Sequence, residues 1–385
     1  MRSLRILTVV GARPQFVKAA MVSRAIIIHN QEHPDAQIVE EIIHTGQHYD
    51  ENMSDVFFRE MKIPEPACRL DCGGKSHGAM TGQMLEGLER EIQRRKPDWV
   101  LVYGDTNSTL AGALAAAKLH VAVARVESGL RSYNKRMPEE INRILTDHIS
   151  SLLFCPTKTA VDNLNREAIT DGVYLVGDVM YDAMLFFAGI AERMSDILQR
   201  LDLNPKSYYL ATIHRQENTD DPYRLKAIFE AFNAIGTDAR PIVMPLHPRT
   251  RIALRNSSLA CAAQGMTGQG QSRLSTGNGN VRLVPAVSFL DMVVLEKNAR
   301  IILTDSGGVQ KEAYWHRVPC VTCRDETEWV ETVEVGWNYV VGADSDRVVQ
   351  TVMKVEESRN PADHPSLLGD GSAAELICRM LNQET

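Results

Sequence analysis

The chain has 385 residues, of which 44% are hydrophobic and 24% charged, a composition typical of a globular protein with a large core. The formal net charge of −7 argues against a dedicated nucleic-acid-binding protein but is compatible with a local cationic pocket for a small anion. No apolar run reaches the about 18 residues of a membrane span, and the N-terminal apolar run lacks a following signal-peptide cleavage site.

Short apolar runs rich in β-branched residues alternate with helical patterns along almost the whole chain. Helices are predicted between most of the runs, for example over 108–119 and 138–149. Runs that are apolar on both faces and separated by helices indicate parallel sheets covered on both sides, and therefore an α/β fold. The predicted strands are LRILTVV, AQIVEEIIHTG, DWVLVYG, VAVARVE, SLLFCP, GVYLVG, SYYLATIH, RPIVMPLH, NVRLVPA, ARIILTD, VPCVTC and NYVVG.

The pattern restarts after about Val176, which predicts two α/β domains of similar size. The segment GDVMYDAMLFFAGIAERM is interpreted as a helix that joins them, and GDGSAAELICRMLNQ as a last helix. Residues 256–280 are rich in Gly, Ser and Gln, and we predict a mobile surface loop there.

The seven cysteines, an odd number, favour reduced thiols and a cytoplasmic protein. Cys320 and Cys323 form a C-x-x-C pair that could bind zinc or act in redox chemistry. Because no histidine lies nearby at ligand spacing, we favour a buried strand in which cysteine serves as a small apolar residue. No metal site is predicted.

The first strand is followed by a helix start that is rich in cations. Pro14 suits the first helical position, so the loop 11–13 offers free N–H groups and a helix dipole to an anion. Arg13 adds a forked donor and Lys18 a mobile charge, although two surface cations could also lie there by chance. The segment contains neither G-x-G-x-x-G nor a Walker lysine, so no NAD or P-loop cofactor chemistry is indicated.

A second strand end carries the sequence Asp305-Ser306-Gly307-Gly308, followed by a helix with Glu312. Two glycines permit close approach of a ligand, and the helix start offers N–H donors to a diphosphate. Glu312 could accept hydrogen bonds from the two hydroxyls of a ribose. The alternative is an ordinary serine N-cap in a tight turn.

Two further strands end in basic residues. His214 and Arg215 end one strand, and His247 and Arg249 end the next. His214 could donate to a phosphate or be a half-buried residue with its own partners. Because the carboxyl ends of parallel strands hold the ligand in doubly wound folds, the convergence of several basic strand ends predicts an anion site.

Acidic residues form the other constellation. Asp105 and Glu127 end consecutive strands, and Glu139 opens the helix that carries Arg143 one turn on. Carboxylates grouped in this way repel, so we expect one or more pKa values to rise toward the range useful for proton transfer. The alternative for Asp105 or Glu139 alone is a helix cap.

Several ordered motifs identify a resemblance to a known family. The chain resembles the non-hydrolysing UDP-N-acetylglucosamine 2-epimerases of bacteria and archaea over essentially its whole length. The motifs are GARPQFVKAA, HTGQHYDENM, VYGDTNSTLAGALAA, VESGLR, MPEEINR, TIHRQEN, LTDSGGVQKEA and RDETEWVE.

The resemblance implies a fold of two Rossmann-like domains, like glycosyltransferase B of the UDP-glycosyltransferase/glycogen phosphorylase superfamily, with the nucleotide-sugar in the cleft. It implies domains of 1–175 with 370–385, which carry the catalytic carboxylates, and 176–369, which bind UDP. It also implies a homodimer without a cofactor. The implied reaction inverts C2 of the sugar by anti-elimination of UDP to 2-acetamidoglucal, followed by re-addition.

The resemblance also assigns roles to matching residues. The acid/base carboxylates are Asp105, Glu127 and Glu139. The substrate and leaving-group contacts are Arg13, Lys18, Arg143 and His214, of which Lys18 and His214 are counted as catalytic. The UDP site is formed by Ser306, Gly307, Gly308 and Glu312, and we add Arg215 and His247 to the substrate-binding residues from their strand ends.

Departures from the family pattern bear on the substrate. The sequence has Ala12 and Gln15 in the opening motif, and Lys75-Ser76-His77 where many members carry the Arg-Gln pair that binds an activating second UDP-N-acetylglucosamine. The GARPQF and TEWVE forms also resemble relatives that epimerise UDP-2,3-diacetamido-2,3-dideoxyglucuronate, whose carboxylate could pair with Lys75, Lys135 or Arg249. A hydrolysing epimerase and a nucleotide-sugar-binding module without turnover are the remaining alternatives.

Overall fold

A computed structural model of the chain describes residues 3–47, 64–257, 272–274, 280–358, 361 and 363–384. The chain divides into two compact units. The first comprises Met1–Leu185 and Leu368–Thr385, and the second Phe186–Leu367. The assignment of a separate function to each domain stays a prediction.

The first unit is built on a seven-stranded sheet in the order β3-β2-β1-β4-β5-β6-β7, in which every neighbouring pair is parallel. Its strands are β1 (Leu4–Val10), β2 (Ile38–His44), β3 (Cys68–Arg69), β4 (Trp99–Tyr103), β5 (Ala122–Val126), β6 (Leu152–Cys155) and β7 (Val173–Leu175). The helices that follow in the chain are α1 (Arg13–Glu32), α2 (His77–Arg95), α3 (Asn107–Lys118), α4 (Pro138–Ile149), α5 (Lys158–Arg166) and α6 (Val179–Met194).

The second unit repeats this plan with the sheet order β10-β11-β9-β8-β12-β13-β14. Its strands are β8 (Tyr209–Thr212), β9 (Ile242–Pro245), β10 (Ser272–Leu274), β11 (Val281–Val284), β12 (Ile301–Thr304), β13 (Cys320–Thr322) and β14 (Asn338–Val340). Its helices are α7 (Ile197–Arg200), α8 (Gln216–Thr219), α9 (Pro222–Ile235), α10 (Pro248–Arg255), α11 (Phe289–Asn298), α12 (Gly307–Trp315), α13 (Val330–Glu334) and α14 (Ser345–Glu357). The last helix, α15 (Ala373–Gln383), belongs to the first unit and packs against α1.

The strands form because their residues are buried on both faces. All five residues of β4 are buried, as are all four of β8, so an uninterrupted apolar run is stabilised by helices on each side of the sheet. In the second unit Phe229 and Phe232 of α9 are fully buried against this layer, and truncation of either to alanine would cost about 3–5 kcal/mol. The predicted α/β fold with two Rossmann-like sheets is confirmed.

The order of the strands decides where a ligand can bind. In each sheet the chain moves outward from a central strand in one direction and then returns to the other side. This reversal lies between β1 and β4 in the first unit and between β8 and β12 in the second. Crevices at the carboxyl ends of such strands are the usual ligand sites of doubly wound sheets.

Most predicted elements are confirmed, with small corrections. Helix α4 has the predicted bounds, and α3 begins and ends one residue earlier than predicted. Strands β3 and β10 were not among the predicted strands. In the predicted surface loop 256–280, residues 272–274 form β10, antiparallel to β11, whereas 258–271 and 275–279 lie outside the described residues.

The cysteine interpretation is also confirmed for Cys320 and Cys323, which are buried in and directly after β13. Burial raises the pKa of the Cys320 thiol to about 12, so the thiol is neutral and unreactive at physiological pH. Among the helices of the described ranges, none combines the length and apolar character needed to cross a membrane.

Candidate functional site

At the end of β5, Glu127 meets a lysine from α1. Lys18 Nζ contacts the Glu127 carboxylate directly, and the two side chains are only 5% and 12% exposed. Glu127 has a φ of +69°, a strained conformation for a residue with a side chain and one that is common at functional sites. Gly104, with a φ of +63°, leaves room for the pair, since a Cβ there would lie 3.3 Å from Glu127 Oε2 and 3.6 Å from Lys18 Nζ.

Asp105 follows Gly104 and is held by an arginine from α4. Arg143 donates to Asp105 Oδ2 from Nε at 3.0 Å and from Nη2 at 2.7 Å. Asn142 donates to the backbone carbonyl of Asp105 at 2.9 Å. The Asp105 side chain remains 28% exposed, so the carboxylate is both oriented and accessible to a ligand.

Glu140, the neighbour of Glu139 in α4, also contacts this arginine. Glu140 is fully buried and accepts from Arg143 Nη1 at 3.0 Å and from the backbone N–H groups of Ser132 and Tyr133 at 3.0 and 2.8 Å. It therefore anchors the preceding loop and the guanidinium together. Glu139 lies beside it in the first turn of α4, half-buried.

Two expectations for this region need correction. Mutual repulsion of the carboxylates was expected, but Glu127 has Lys18 as a partner and Asp105 has Arg143, since both cations arrive from helices packed on the sheet.

The second correction concerns the loop after β1. Its N–H groups were expected to be free, yet Gly11 and Ala12 donate to Gln15 Oε1 at 2.8 and 3.0 Å. The glutamine reaches back from the first turn of α1 and its Nε2 donates to the carbonyl of Tyr103 at 2.8 Å. Arg13 begins α1, but its side chain lies outside the described residues.

Sequence reasoning missed Arg125, which organises the backbone of this site. Its side chain, buried within β5, donates to the carbonyls of Arg143 at 2.6 Å and Gly104 at 3.0 Å. It also pairs with Asp147 at 2.5 Å, which compensates the buried charge. The available signal was a single cation inside an otherwise apolar strand.

In the second unit, Asp305 plays the corresponding organising role at the end of β12. The fully buried carboxylate accepts from the backbone N–H groups of His214 at 2.9 Å and Arg215 at 2.9 Å, and from Asn218 Nδ2 at 3.1 Å. Asp305 thereby fixes the β8–α8 turn that presents His214 and Arg215.

The two predicted histidines lie together. The rings of His214 and His247 have centroids 5.2 Å apart, and His247 Nδ1 accepts from the backbone N–H of Arg249 at 3.2 Å. Desolvation lowers the pKa of His214, and the nearby guanidiniums of Arg215 and Arg249 lower it further against the opposing effect of Asp305. His214 is therefore neutral at pH 7 and can donate one hydrogen bond.

The start of α12 lies beside several polar side chains. Ser306 is its N-cap and accepts from the N–H of Val309 at 3.5 Å, in agreement with the capping alternative. A Cβ on Gly307 would lie 3.4 Å from Trp329 Nε1, 3.5 Å from Glu328 Oε2 and 3.9 Å from Arg215 Nη2. These distances place the three polar groups around the first turn of the helix. Gly308 follows in the first turn of the helix, and the half-buried Glu312 lies one turn further along it.

Arg324 and Glu328 form a buried pair that sequence reasoning did not find. Arg324 is fully buried and donates to Glu328 at 2.9 and 3.3 Å, and its Nε lies 3.5 Å from Glu217 Oε1. Burial raises the pKa of Glu217. Within the described part of the chain, no group of three or more His, Cys, Asp or Glu residues is arranged to hold a metal ion.

Comparison with known proteins gives a consistent result. A family model described as UDP-N-acetylglucosamine 2-epimerase matches residues 30–382. The chain is 47% identical over 382 residues to the UDP-2,3-diacetamido-2,3-dideoxy-D-glucuronate 2-epimerase of Pseudomonas aeruginosa, covering 98% of this chain and 99% of that one. It is also 47% identical over 381 residues to the UDP-N-acetylglucosamine 2-epimerase homolog of Methanococcus maripaludis, with the same coverage.

Solved structures show the same fold. The Methanocaldococcus jannaschii UDP-GlcNAc 2-epimerase in complex with UDP-GlcNAc and UDP matches 99% of this chain and 100% of its own, with a TM-score of 0.86 and 40% identity. The Neisseria meningitidis UDP-GlcNAc 2-epimerase bound to UDP-GlcNAc matches 100% of each chain, with a TM-score of 0.83 and 27% identity.

Proposed function

Because the chain belongs to the UDP-N-acetylglucosamine 2-epimerase family, we propose that it is a non-hydrolysing epimerase that interconverts UDP-GlcNAc and UDP-ManNAc. In this reaction a base removes the proton from C2 while the C1–O bond to UDP breaks, which gives 2-acetamidoglucal. A proton then returns to the opposite face of C2 and UDP adds back to C1. Each bond broken is re-formed, so no cofactor is consumed.

The carboxylate–cation pairs of the first unit support the proton-transfer part of this proposal. Asp105 is held by two hydrogen bonds from Arg143 and is still accessible, and Glu127 touches Lys18. Together with Glu139, these carboxylates supply candidates for the acid and the base. The paired cations keep the carboxylates oriented and can stabilise negative charge that develops during elimination.

The basic groups and the helix start of the second unit support binding of the leaving group. Arg215 lies near the N-terminus of α12, neutral His214 is held next to it by Asp305, and His247 lies beside His214. Ser306 caps this helix and donates its own N–H to Thr304 Oγ1, so the helix dipole and the N–H groups of Gly307 and Gly308 are what favour a diphosphate there. We also propose that Glu312, one turn along the same helix, accepts from ribose hydroxyls and that Arg13 contacts the substrate.

A reaction in D₂O tests this proposal against its alternatives. An epimerase produces a nucleotide-sugar with one deuterium at C2, detected by mass spectrometry as a gain of about one mass unit. A hydrolysing enzyme releases UDP and free N-acetylmannosamine, and a binding module gives neither exchange nor product. Either of the last two results contradicts the proposed function.

A second substrate is favoured by the Pseudomonas aeruginosa relative and by the position of one cation. Of the three cations proposed to bind a sugar carboxylate, Arg249 lies next to His247 and its side chain is 42% exposed. Lys75 contacts Gln83 at an exposed site, and Lys135 is exposed. Arg249 is therefore the candidate partner for the carboxylate of UDP-2,3-diacetamido-2,3-dideoxyglucuronate.

Replacement of Arg249 by glutamine distinguishes the two substrates. If the glucuronate is the substrate, Arg249→Gln raises its KM about tenfold or more and leaves any turnover of UDP-GlcNAc unchanged. Arg255→Gln, at the exposed end of the same helix, is the matched control. Equal effects of both substitutions on both sugars would exclude Arg249 as the carboxylate partner.

The homodimer implied by the family resemblance and the cytoplasmic location predicted from the cysteine content are also part of this proposal. Light scattering at the elution peak of the purified protein measures its mass in solution, and a mass of one chain contradicts the dimer. The described cysteines are free thiols, which agrees with a reducing compartment.

A further inference from the structure

Helix α12, which begins at the proposed diphosphate site, carries a buried lysine. Lys311 of α12 is only 2% exposed, and lysine is among the residues that are rarely buried without a specific reason. Its Nζ lies 4.2 Å from the ring centroid of Trp329 and 5.7 Å from that of Trp315. The ammonium group therefore faces the π surface of Trp329 at a distance typical of a cation–π interaction.

The indole of Trp329 also lies close to the N-terminus of α12. Trp329 Nε1 lies 3.4 Å from the position that a Cβ on Gly307 would take. Gly307 and Lys311 are four residues apart and so lie on one face of α12. Trp329 thus covers the first turn, with its ring over the ammonium group and its N–H edge at the helix start.

Neighbouring charges make this indole well placed to contact an anion. Glu328 Oε2 lies 3.5 Å from the same Cβ position, but its charge is compensated by the buried Arg324. Arg215 Nη2 is 3.9 Å away from that position. The helix start, the indole N–H and the guanidinium then all favour negative charge, and the Lys311 ammonium adds a positive charge one turn behind them.

We propose that Lys311 is a positioning residue for the nucleotide diphosphate: it holds Trp329 so that the indole N–H is directed at the phosphate oxygens at the start of α12. Lys311 itself does not touch the ligand. This inference rests on the proposed function, since it takes a nucleoside diphosphate as the ligand of this helix start. Lys311 thus affects binding of the diphosphate through the indole ring of Trp329.

Two substitutions separate the charge from the N–H. Lys311→Met keeps the length of the side chain but removes the cation, and Trp329→Phe keeps an aromatic ring but removes the N–H donor. We expect either change to raise the Kd for UDP about tenfold, the effect of losing one hydrogen bond to a charged group, and to leave the Kd for uridine within about twofold. Trp315→Phe, which alters the more distant ring, should leave both constants unchanged.

Calorimetric titration with UDP and uridine, together with the Tm of each variant, decides the result. A purely structural pair would lower Tm and weaken uridine as much as UDP, which overturns the inference. If the wild-type enzyme is active but both variants bind UDP as tightly as wild type does, the inference about Lys311 is overturned and the proposed function stands. A wild-type protein that neither binds UDP nor turns over a UDP sugar overturns both.

Discussion

Asp182 provides a quantitative test of how burial affects stability. This aspartate of α6 is 5% exposed, and its Oδ2 accepts from the backbone N–H of Ala374 at 2.7 Å, at the start of α15. Its Oδ1 is buried without a hydrogen bond to any described residue. Burial raises the pKa of Asp182 to about 6 from the ordinary 3.8, backbone hydrogen bonds oppose this rise, and Asp178 adds to it.

The sign of the effect follows from proton linkage. The folded state binds the Asp182 proton more tightly than the unfolded state does, so stability is lost as the pH rises from about 3.8 through about 6. A difference of about two pKa units at 1.36 kcal/mol per unit gives about 3 kcal/mol at pH 7.5. Asp182→Asn cannot ionise and keeps an oxygen for the helix start, so it should recover up to about this amount.

Thermal unfolding between pH 4 and pH 8.5 measures this gain. At pH 7.5 we expect the Tm of Asp182→Asn to exceed that of wild type by up to about 6–12 °C, since 1 kcal/mol corresponds to about 2–4 °C for units of this size. At pH 4 the two proteins should melt within about 2 °C of each other. Asp346→Asn, at an exposed position of α14, is the control for the lost charge. The reasoning is refuted if Asp182→Asn is no more stable than wild type at pH 7.5. It is also refuted if the variant is stabilised by the same amount at every pH.

Three further predictions concern the candidate site. Asp105→Asn should reduce turnover by about two to four orders of magnitude, as expected for loss of a general acid or base, and keep UDP affinity; unchanged kcat removes Asp105 from the mechanism. Gly104→Ala places a Cβ close to Glu127 and Lys18 at a position whose backbone is left-handed, so Tm should fall by a few degrees and kcat at least tenfold. An unchanged Tm and kcat would contradict this prediction. Burial lowers the pKa of His214 from its ordinary 6.5, so the folded state favours the neutral form and stability should fall as the pH drops below 6.5. His214→Asn should weaken this pH dependence of Tm. If Tm falls with pH as steeply in the variant as in wild type, the prediction is contradicted.

The sequence predicts the strands well because both faces of each are buried. The apolar runs that end at Val10, Tyr103 and Thr304 become central strands, and burial on both sides leaves little choice of secondary structure. Strands β3 and β10 were missed because two or three residues carry no periodicity, and their pairing depends on the neighbouring strand.

The site was harder to predict, because its key contacts join residues far apart in the chain. Lys18 and Glu127 are 109 residues apart, and Arg143 and Asp105 are 38 apart. Spacing indicates that each residue follows a strand or opens a helix, but it does not indicate which cation meets which carboxylate. For the same reason, repulsion among the acids was expected where the structure has ion pairs.

Two buried charged residues, Arg125 and Asp305, reveal a shared principle of the two units. In the first, the buried cation Arg125 binds the backbone carbonyls of Gly104 and Arg143, and so fixes the turn that presents Asp105. In the second, the buried anion Asp305 binds backbone N–H groups and fixes the turn that presents His214. A buried charge of one sign can only bind backbone groups of the opposite polarity, so the turn is stabilised without consuming the ligand-facing side chains.

This difference in sign matches the chemistry proposed for each unit. Arg125 binds backbone carbonyls in the unit whose carboxylates are proposed to transfer protons, and Asp305 binds backbone N–H groups in the unit whose basic side chains are proposed to bind an anion. Because a buried charge that loses its partners costs several kcal/mol, neither turn can relax without destabilising its sheet. The rigidity needed for proton transfer and for gripping a leaving group therefore comes from the same interactions that stabilise the fold.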